Sequence, residues 1–326
     1  METYRNTFLI YNPFARGLQR RKHALDRTIG LLASRGITVS AVSTTGPGTA
    51  AELARRAIEQ GADLILVAGG DGTINEALNG MVHSEVPLGI LPAGTANVLA
   101  NELGLGKTME RAAASFEEWT PERVAVGLID RSADEGPRHF LLMAGAGLDA
   151  DIVYHLSLGV KAALGKAAYW IGGFAKVGRR LPVFTVEAEG RKFQAGFALA
   201  SRVRNYGGDL EIALGASLLD DRLELVLFEG SSSFTYLKYM LGVAARRHVR
   251  MRGITTLRTR RALFSASPQG KVHLQVDGEY AGFAPARVEI VPNALTLLVP
   301  PAFRIRDAKS AARTPADTAW TTSPTR

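Results

Sequence analysis

Along the first hundred residues, apolar runs alternate with helical stripes. Residues 7–11 read as a short strand that gives way to a turn at 12–17. Leu18, Leu25, Ile29 and Leu32 then fall on one helical face, with Gly36 where the chain would leave that helix. Ile37, Val39 and Ala41 alternate as a second strand. Ala50, Leu53, Ala54 and Ala57 form the stripe of another helix, opened by Thr49 and Glu52 in capping-box spacing and closed by Gly61. Residues 64–68 are wholly apolar, as suits a parallel strand covered on both faces. A fourth strand at 88–91 precedes a helix that runs to about Leu103.

This alternation predicts a doubly wound α/β domain over residues 1–125. Ligands of such sheets sit outside the carboxyl ends of the strands. Four loops at those ends, 12–17, 43–48, 69–73 and 94–97, are rich in Gly, Thr, Asn and Asp. After about residue 122 the period shortens to two. Val124, Val126 and Leu128 alternate, as do Leu223, Leu225 and Leu227, and later Val272, Leu274 and Val276. Glu189-Gly190 reads as a hairpin turn. The expectation is an antiparallel β domain over 126–303, with helical insertions near 151–178 and 232–250, and a disordered tail at 304–326.

Composition narrows the function. The chain has 326 residues, 46% of them hydrophobic and 21% charged, which reads as globular with room for two domains. It has no cysteine, so disulfides and thiolate metal sites are excluded. No stretch reaches the roughly 18 uncharged apolar residues of a membrane span, and the first apolar run is too short for a secretory signal. A cytoplasmic protein, soluble or peripheral to a membrane, is expected. The formal charge of +8 attracts phosphate, whether on nucleotide, nucleic acid or anionic lipid.

The candidate chemistry centres on Gly69-Gly70-Asp71-Gly72-Thr73-Ile74-Asn75-Glu76. The glycines let backbone N–H groups approach a ligand, and Thr73 with Glu76 has capping-box spacing, so a helix N-terminus beside a glycine nest forms an anion site. Asp71 repels phosphate unless a cation or a proton transfer is involved; an Asx-type turn is the alternative. Gly104-Leu105-Gly106-Lys107-Thr108 lacks the first glycine of a Walker A loop, since Asn101 stands there. Gly145-Ala146-Gly147-Leu148-Asp149-Ala150 fits a dinucleotide turn but has no acid near twenty residues on. Asp277 and Glu279 lie two apart, so on an extended strand their carboxylates share a face and one pKa rises toward that of a general base. Asp277-Gly278 is equally an ordinary hairpin signal.

Gly69-Gly70-Asp71-Gly72-Thr73 followed by Leu91-Pro92-Ala93-Gly94-Thr95-Ala96-Asn97 resembles the diacylglycerol kinase catalytic family, especially its bacterial lipid kinases related to sphingosine kinases. Asn12-Pro13, Thr44-Thr45, Gly145 to Ala150, Asn205-Tyr206-Gly207-Gly208 and Asp277-Gly278-Glu279 extend the likeness over nearly the whole chain. The resemblance implies an ATP-dependent lipid kinase with an α/β domain and a β-sandwich domain. It implies ATP contacts at Asn12, Thr44, Thr45, Gly69, Gly70, Gly72, Thr73, Ile74, Asn75, Gly94 and Thr95. It also implies Glu279 as base for the lipid hydroxyl, with Asp277 beside it, and Asp71 as organiser of Mg²⁺ and phosphate; the reverse assignment of Asp71 and Glu279 stays open. A structural Mg²⁺ is implied at Leu218, Asp221 and Leu223, although Arg222 stands where the family usually has glycine.

Two stretches, 151–180 and 236–250, mix aromatic residues with cations and suit transient contact with an anionic membrane surface. An NAD kinase shares the Gly-Gly-Asp-Gly signature and is the nearest alternative; a non-catalytic nucleotide-binding protein is another. No nucleic-acid-binding motif occurs. The identity of the lipid and the oligomeric state stay open.

Overall fold

The computed structural model describes residues 4–21, 23–131, 136–148, 150–151, 181–207 and 210–311. The chain divides into two compact units. One comprises Met1–Val126 with Pro292–Lys309, and the other is built on Gly127–Val291.

In the first unit the order is β1 (Thr7–Tyr11), α1 (Arg16–Arg20), α2 (Ala24–Ala33), β2 (Val39–Ser43), α3 (Thr49–Glu59), β3 (Leu64–Gly69) and α4 (Asp71–Met81). There follow β4 (Leu88–Pro92), α5 (Val98–Leu103), α6 (Met109–Ala114) and β5 (Thr120–Arg131), whose last residues enter the second unit. The four leading strands lie parallel in the order β2-β1-β3-β4. All of β3 is buried, as its unbroken apolar run requires. The single helix expected from Leu18 to Leu32 is two, separated at His23, whose φ is +64°.

In the second unit β6 (Arg138–Phe140), β7 (Met143–Gly147), β8 (Phe184–Ala188), β9 (Arg191–Ala195), β10 (Phe197–Ser201), β11 (Asn205–Tyr206), β12 (Leu210–Glu211) and β13 (Leu223–Phe228) lead to α7 (Ser233–Ala244). The unit continues through β14 (Ile254–Thr259), β15 (Arg261–Phe264), β16 (His273–Val276), β17 (Glu279–Phe283) and the start of β18 (Ala286–Val299). One antiparallel sheet has the order β14-β13-β10-β7-β16-β17. A second joins β18, β15, β8 and β9. Phe140, Phe184, Leu225, Phe264, Leu274 and Val288 fill a shared core, as the period-two alternation of these strands demands. The helix expected at 232–250 is α7 with a 3₁₀ turn at His248–Arg250. The insertion expected at 151–178 and the stretch 151–180 lie, apart from Asp151, outside the described residues.

Two boundaries differ from expectation. Residues 292–299, expected within the β domain, run parallel beside β4 in the first unit, with Leu297 opposite Leu88. The chain then forms α8 (Pro301–Ala311) where a disordered tail was expected from 304. Phe303 is buried, and Arg306 donates to the buried Glu102 carboxylate at 3.0 Å. Anchors reaching so far back leave no local periodicity to read. Residues 312–326 of that tail lie outside the described residues.

Candidate functional site

The strand order turns around between β1 and β3: β1 leads outward to β2, and the chain then crosses back to β3. At such a switch point the loops leaving the two strands part and open a crevice. Here the loop after β1 and the start of α4 meet, and Asn12 Nδ2 donates to Thr73 Oγ1 at 3.3 Å. The neighbouring loops stand on the same carboxyl edge. Thr44 N–H donates to Tyr11 at 2.9 Å, Asn12 N–H to Ala68 at 3.0 Å, and the N–H groups of Ala93 and Gly94 to Gly69 at 3.0 and 3.1 Å.

Glycine is required where the loops after β3 and β4 touch. A Cβ on Gly94 would lie 2.5 Å from Gly70 Cα, and one on Gly70 would lie 3.3 Å from Gly94 Cα. Asn97 shapes the second loop. It adopts φ +47°, takes Gly94 N–H on Oδ1 at 2.8 Å and donates Nδ2 to Gly94 O at 3.0 Å. Asparagine tolerates this left-handed backbone better than other side-chain-bearing residues. The sequence had set Asn97 in a motif without giving it a role.

Asp71 is held by the backbone after β4. Its Oδ2 accepts Val98 N–H at 3.0 Å and its Oδ1 accepts Leu99 N–H at 3.1 Å, so the carboxylate caps α5. Burial pushes this carboxyl up from the ordinary carboxylate value, while the N–H groups of Val98, Leu99 and Asp71 itself pull it down. The partners lie 27 and 28 residues away, so no Asx turn is involved. A negative group on the positive end of α5 also answers the objection that Asp71 repels phosphate, because its charge is offset there. The N-terminus of α4 is thereby left to attract an anion.

The expected capping boxes are not made. Helix α4 starts at Asp71, behind Gly70, with no side-chain cap. Thr73 already lies inside the helix, where its hydroxyl faces Asn12. Glu76 instead accepts Ala50 N–H at 3.2 Å, capping the first turn of α3. Thr49 turns back to Gly46, its hydroxyl donating to the carbonyl at 2.6 Å and accepting Thr45 N–H at 3.3 Å. Of the positions implied to touch ATP, Asn12, Thr44, Thr45, Gly70, Gly94 and Thr95 lie in the loops at the carboxyl edge, Gly69 ends β3, and Gly72 and Thr73 lie in the first turn of α4. The side chains of Ile74 and Asn75 are buried in α4.

In the second unit, Asp277 and Gly278 have φ of +49° and +82°, between strands paired Val276 to Glu279. This is a two-residue hairpin loop of the kind that needs positive φ at both positions. The loop turns Asp277 inward, where its carboxylate accepts the N–H groups of Leu141, Leu142 and Met143 at 3.2, 3.0 and 2.9 Å. The two carboxylates therefore do not share the face of an extended strand. Glu279 begins β17, partly exposed, with Oε2 2.5 Å from Arg138 Nη2.

A buried arginine reaches the loop implied to hold Mg²⁺. Leu218 O accepts Arg202 Nη2 at 2.7 Å, Asp221 is exposed, and Leu223 is buried as the first residue of β13. Among the described residues no three His, Cys, Asp or Glu side chains gather as a metal site.

A parallel α/β unit with a glycine crest at its switch point, joined to an antiparallel β sandwich, defines a two-domain protein suited to a phosphate-bearing ligand. Residues 6–129 match the family model of the diacylglycerol kinase catalytic domain, and residues 143–299 match the YegS C-terminal NAD kinase beta sandwich-like domain. Residues 6–129 thus place the N-terminal part of the chain in the diacylglycerol kinase catalytic domain family. It is 27% identical over 283 residues to the diacylglycerol kinase of Bacillus subtilis (strain 168), covering 85% of this chain and 90% of that one. It is 29% identical over 284 residues to the diacylglycerol kinase of Mycobacterium tuberculosis (strain H37Rv), with the same coverage. The crystal structure of a diacylglycerol kinase from Bacillus anthracis str. Sterne has the same fold, with a TM-score of 0.73 at 22% identity over 93% of this chain and 99% of that one.

Proposed function

We propose that this protein is an ATP-dependent lipid kinase that transfers the γ-phosphoryl group to a lipid hydroxyl, such as that of diacylglycerol. The observation that carries this reading is the glycine crest at the β1/β3 switch point, in a chain whose N-terminal part belongs to the diacylglycerol kinase catalytic domain family. Backbone N–H groups at Gly70, Gly72 and Thr73, together with the α4 N-terminus, hold the phosphates. Asp71 and Asn97 keep the two crest loops in register. A Mg²⁺ ion accompanying ATP would neutralise charge on the phosphates.

In the proposed reaction the lipid oxygen bonds to the γ-phosphorus, the bond from that phosphorus to the β–γ bridging oxygen breaks, and ADP leaves. Glu279 takes the hydroxyl proton. Arg138 orients its carboxylate, and Asp277 pins the hairpin from which Glu279 projects.

Access to the lipid is proposed through α7. Phe234 and Leu241 are 63% and 59% exposed, seven residues apart on a helix and so on one face. Lys238 lies between them, and the exposed Arg246, Arg247, Arg250 and Arg252 follow. Residues 230–253 contain no acid. An apolar face flanked by cations suits transient contact with an anionic lipid surface. Among the described residues no helix is long and apolar enough to cross a membrane.

The test is phosphoryl transfer from labelled ATP into extracted lipids, set against NAD as acceptor, with products identified by mass. Label in a lipid supports the reading. Label in NAD alone, or no label at all, overturns it.

A further inference from the structure

Arg202 is the largest fully buried side chain among the described residues, with 0% of its surface exposed. It follows β10, and its backbone N–H donates to Leu142 O at 2.8 Å. The guanidinium reaches into the loop between Ser217 and β13. Nη2 donates to Leu218 O at 2.7 Å, and Nη1 donates to Arg222 O at 3.2 Å and to Asp220 O. Three carbonyls of one loop thus converge on one buried cation. The Asp221 charge favours the charged guanidinium, whose pKa burial lowers to about 10, so Arg202 stays protonated at neutral pH.

Convergent carbonyls beside an aspartate are also what a hard divalent cation would use. Leu218 O is one of the ligands that the family resemblance assigns to a structural Mg²⁺, and it is already engaged. Mg²⁺ needs near-octahedral oxygens at about 2.0–2.1 Å. An ion bound at this carbonyl would stand next to the fixed positive charge of a buried guanidinium. The donor set does not fit the metal.

We infer that the Arg202 guanidinium is the built-in cation of the 218–223 loop, holding the carbonyls of Leu218, Asp220 and Arg222, and that this loop takes no divalent ion. The planar fork of arginine suits the task, because its donors diverge at fixed angles and its charge persists when buried. Glycine is then not needed at position 222: Arg222 lends its carbonyl to Arg202 while its side chain stays exposed. A nearby second arginine serves the same loop from outside, since Arg258 pairs with the Asp220 carboxylate.

The test uses stability of the full chain without nucleotide or lipid, so its outcome is independent of whether the protein phosphorylates a lipid. Wild-type protein should melt at the same temperature in EDTA and in millimolar MgCl₂. A Tm that falls in EDTA and recovers with Mg²⁺ overturns the inference. Arg202→Met should lower Tm by roughly 5–15 °C, because three carbonyls of the loop lose their donor. Arg202→Lys, which keeps the charge, should recover part of that loss. A methionine variant as stable as wild type sinks the proposal, and if it fails to fold, the wild-type comparison still decides whether a divalent ion holds the loop.

Discussion

The Asp71 carboxylate and the Val98 amide lie 3.0 Å apart, and through that bond the loop after β3 grips the loop after β4. Leu99 supplies a second N–H to the same side chain. Asp71→Ala should cost about 1–3 kcal/mol, because two helix N-terminal donors lose their acceptor. Nucleotide affinity should fall with it as the crest loosens. Denaturant unfolding and nucleotide titration check both, and an undiminished unfolding free energy would contradict a holding role for Asp71.

Glu279→Gln should reduce phosphoryl transfer about 10²–10⁴-fold with ATP affinity largely intact, since it removes only the proton acceptor. Arg138→Gln should lower kcat less and leave the KM for ATP unchanged, because Arg138 acts through Glu279. Near-normal turnover in the Glu279 variant removes it from the chemistry.

Asp277→Ala leaves the N–H groups of Leu141, Leu142 and Met143 without their carboxylate. The expected loss is about 2–4 kcal/mol of stability, read by urea unfolding. A variant that unfolds like wild type but is inactive would return Asp277 to a chemical role.

Glu224 is buried in β13, where desolvation raises its pKa from the ordinary 4.5 to about 7, against the N–H groups of Gly215 and Ala216 and the charge of Arg204. A carboxyl whose folded pKa is raised binds its proton more tightly in the folded state. Its contribution is therefore fully present below about pH 4.5 and is lost as pH rises to about 7. The change is on the order of 3 kcal/mol. Glu224→Gln should flatten the fall in Tm across that window, and an unchanged pH profile would count against the titration.

Vesicles containing anionic lipid should recruit the protein at low salt and release it as salt rises, at about 1 kcal/mol per engaged cation. Leu241→Glu should weaken that binding at constant salt. Equal binding to neutral and anionic vesicles would remove the electrostatic contribution.

The four leading strands of the first unit and the helices after β2 and β3 were legible because each carries its own period. So were the crest loops, since Gly, Asn and Thr at strand ends report backbone needs locally. Side-chain partners were not. Thr73-Ile74-Asn75-Glu76 has the spacing of a cap, yet Glu76 caps α3, 26 residues back in the chain. Asp277-Gly278 offered a hairpin reading, and the backbone followed it. No local pattern said that the carboxylate would meet amides 134–136 residues away. Arg202 gave one readable hint: an arginine two residues past the apolar run 197–200 needs a buried set of acceptors.

Strand β18 has a consequence for the order of events during synthesis. Its residues 292–299, with α8 after them, belong to the unit that β1 begins. A ribosome therefore releases every strand of the sandwich before the one that lies beside β4. Until then the nucleotide half is a nascent sheet with an open flank at Leu88, and it can close only after its neighbour in the chain has been made.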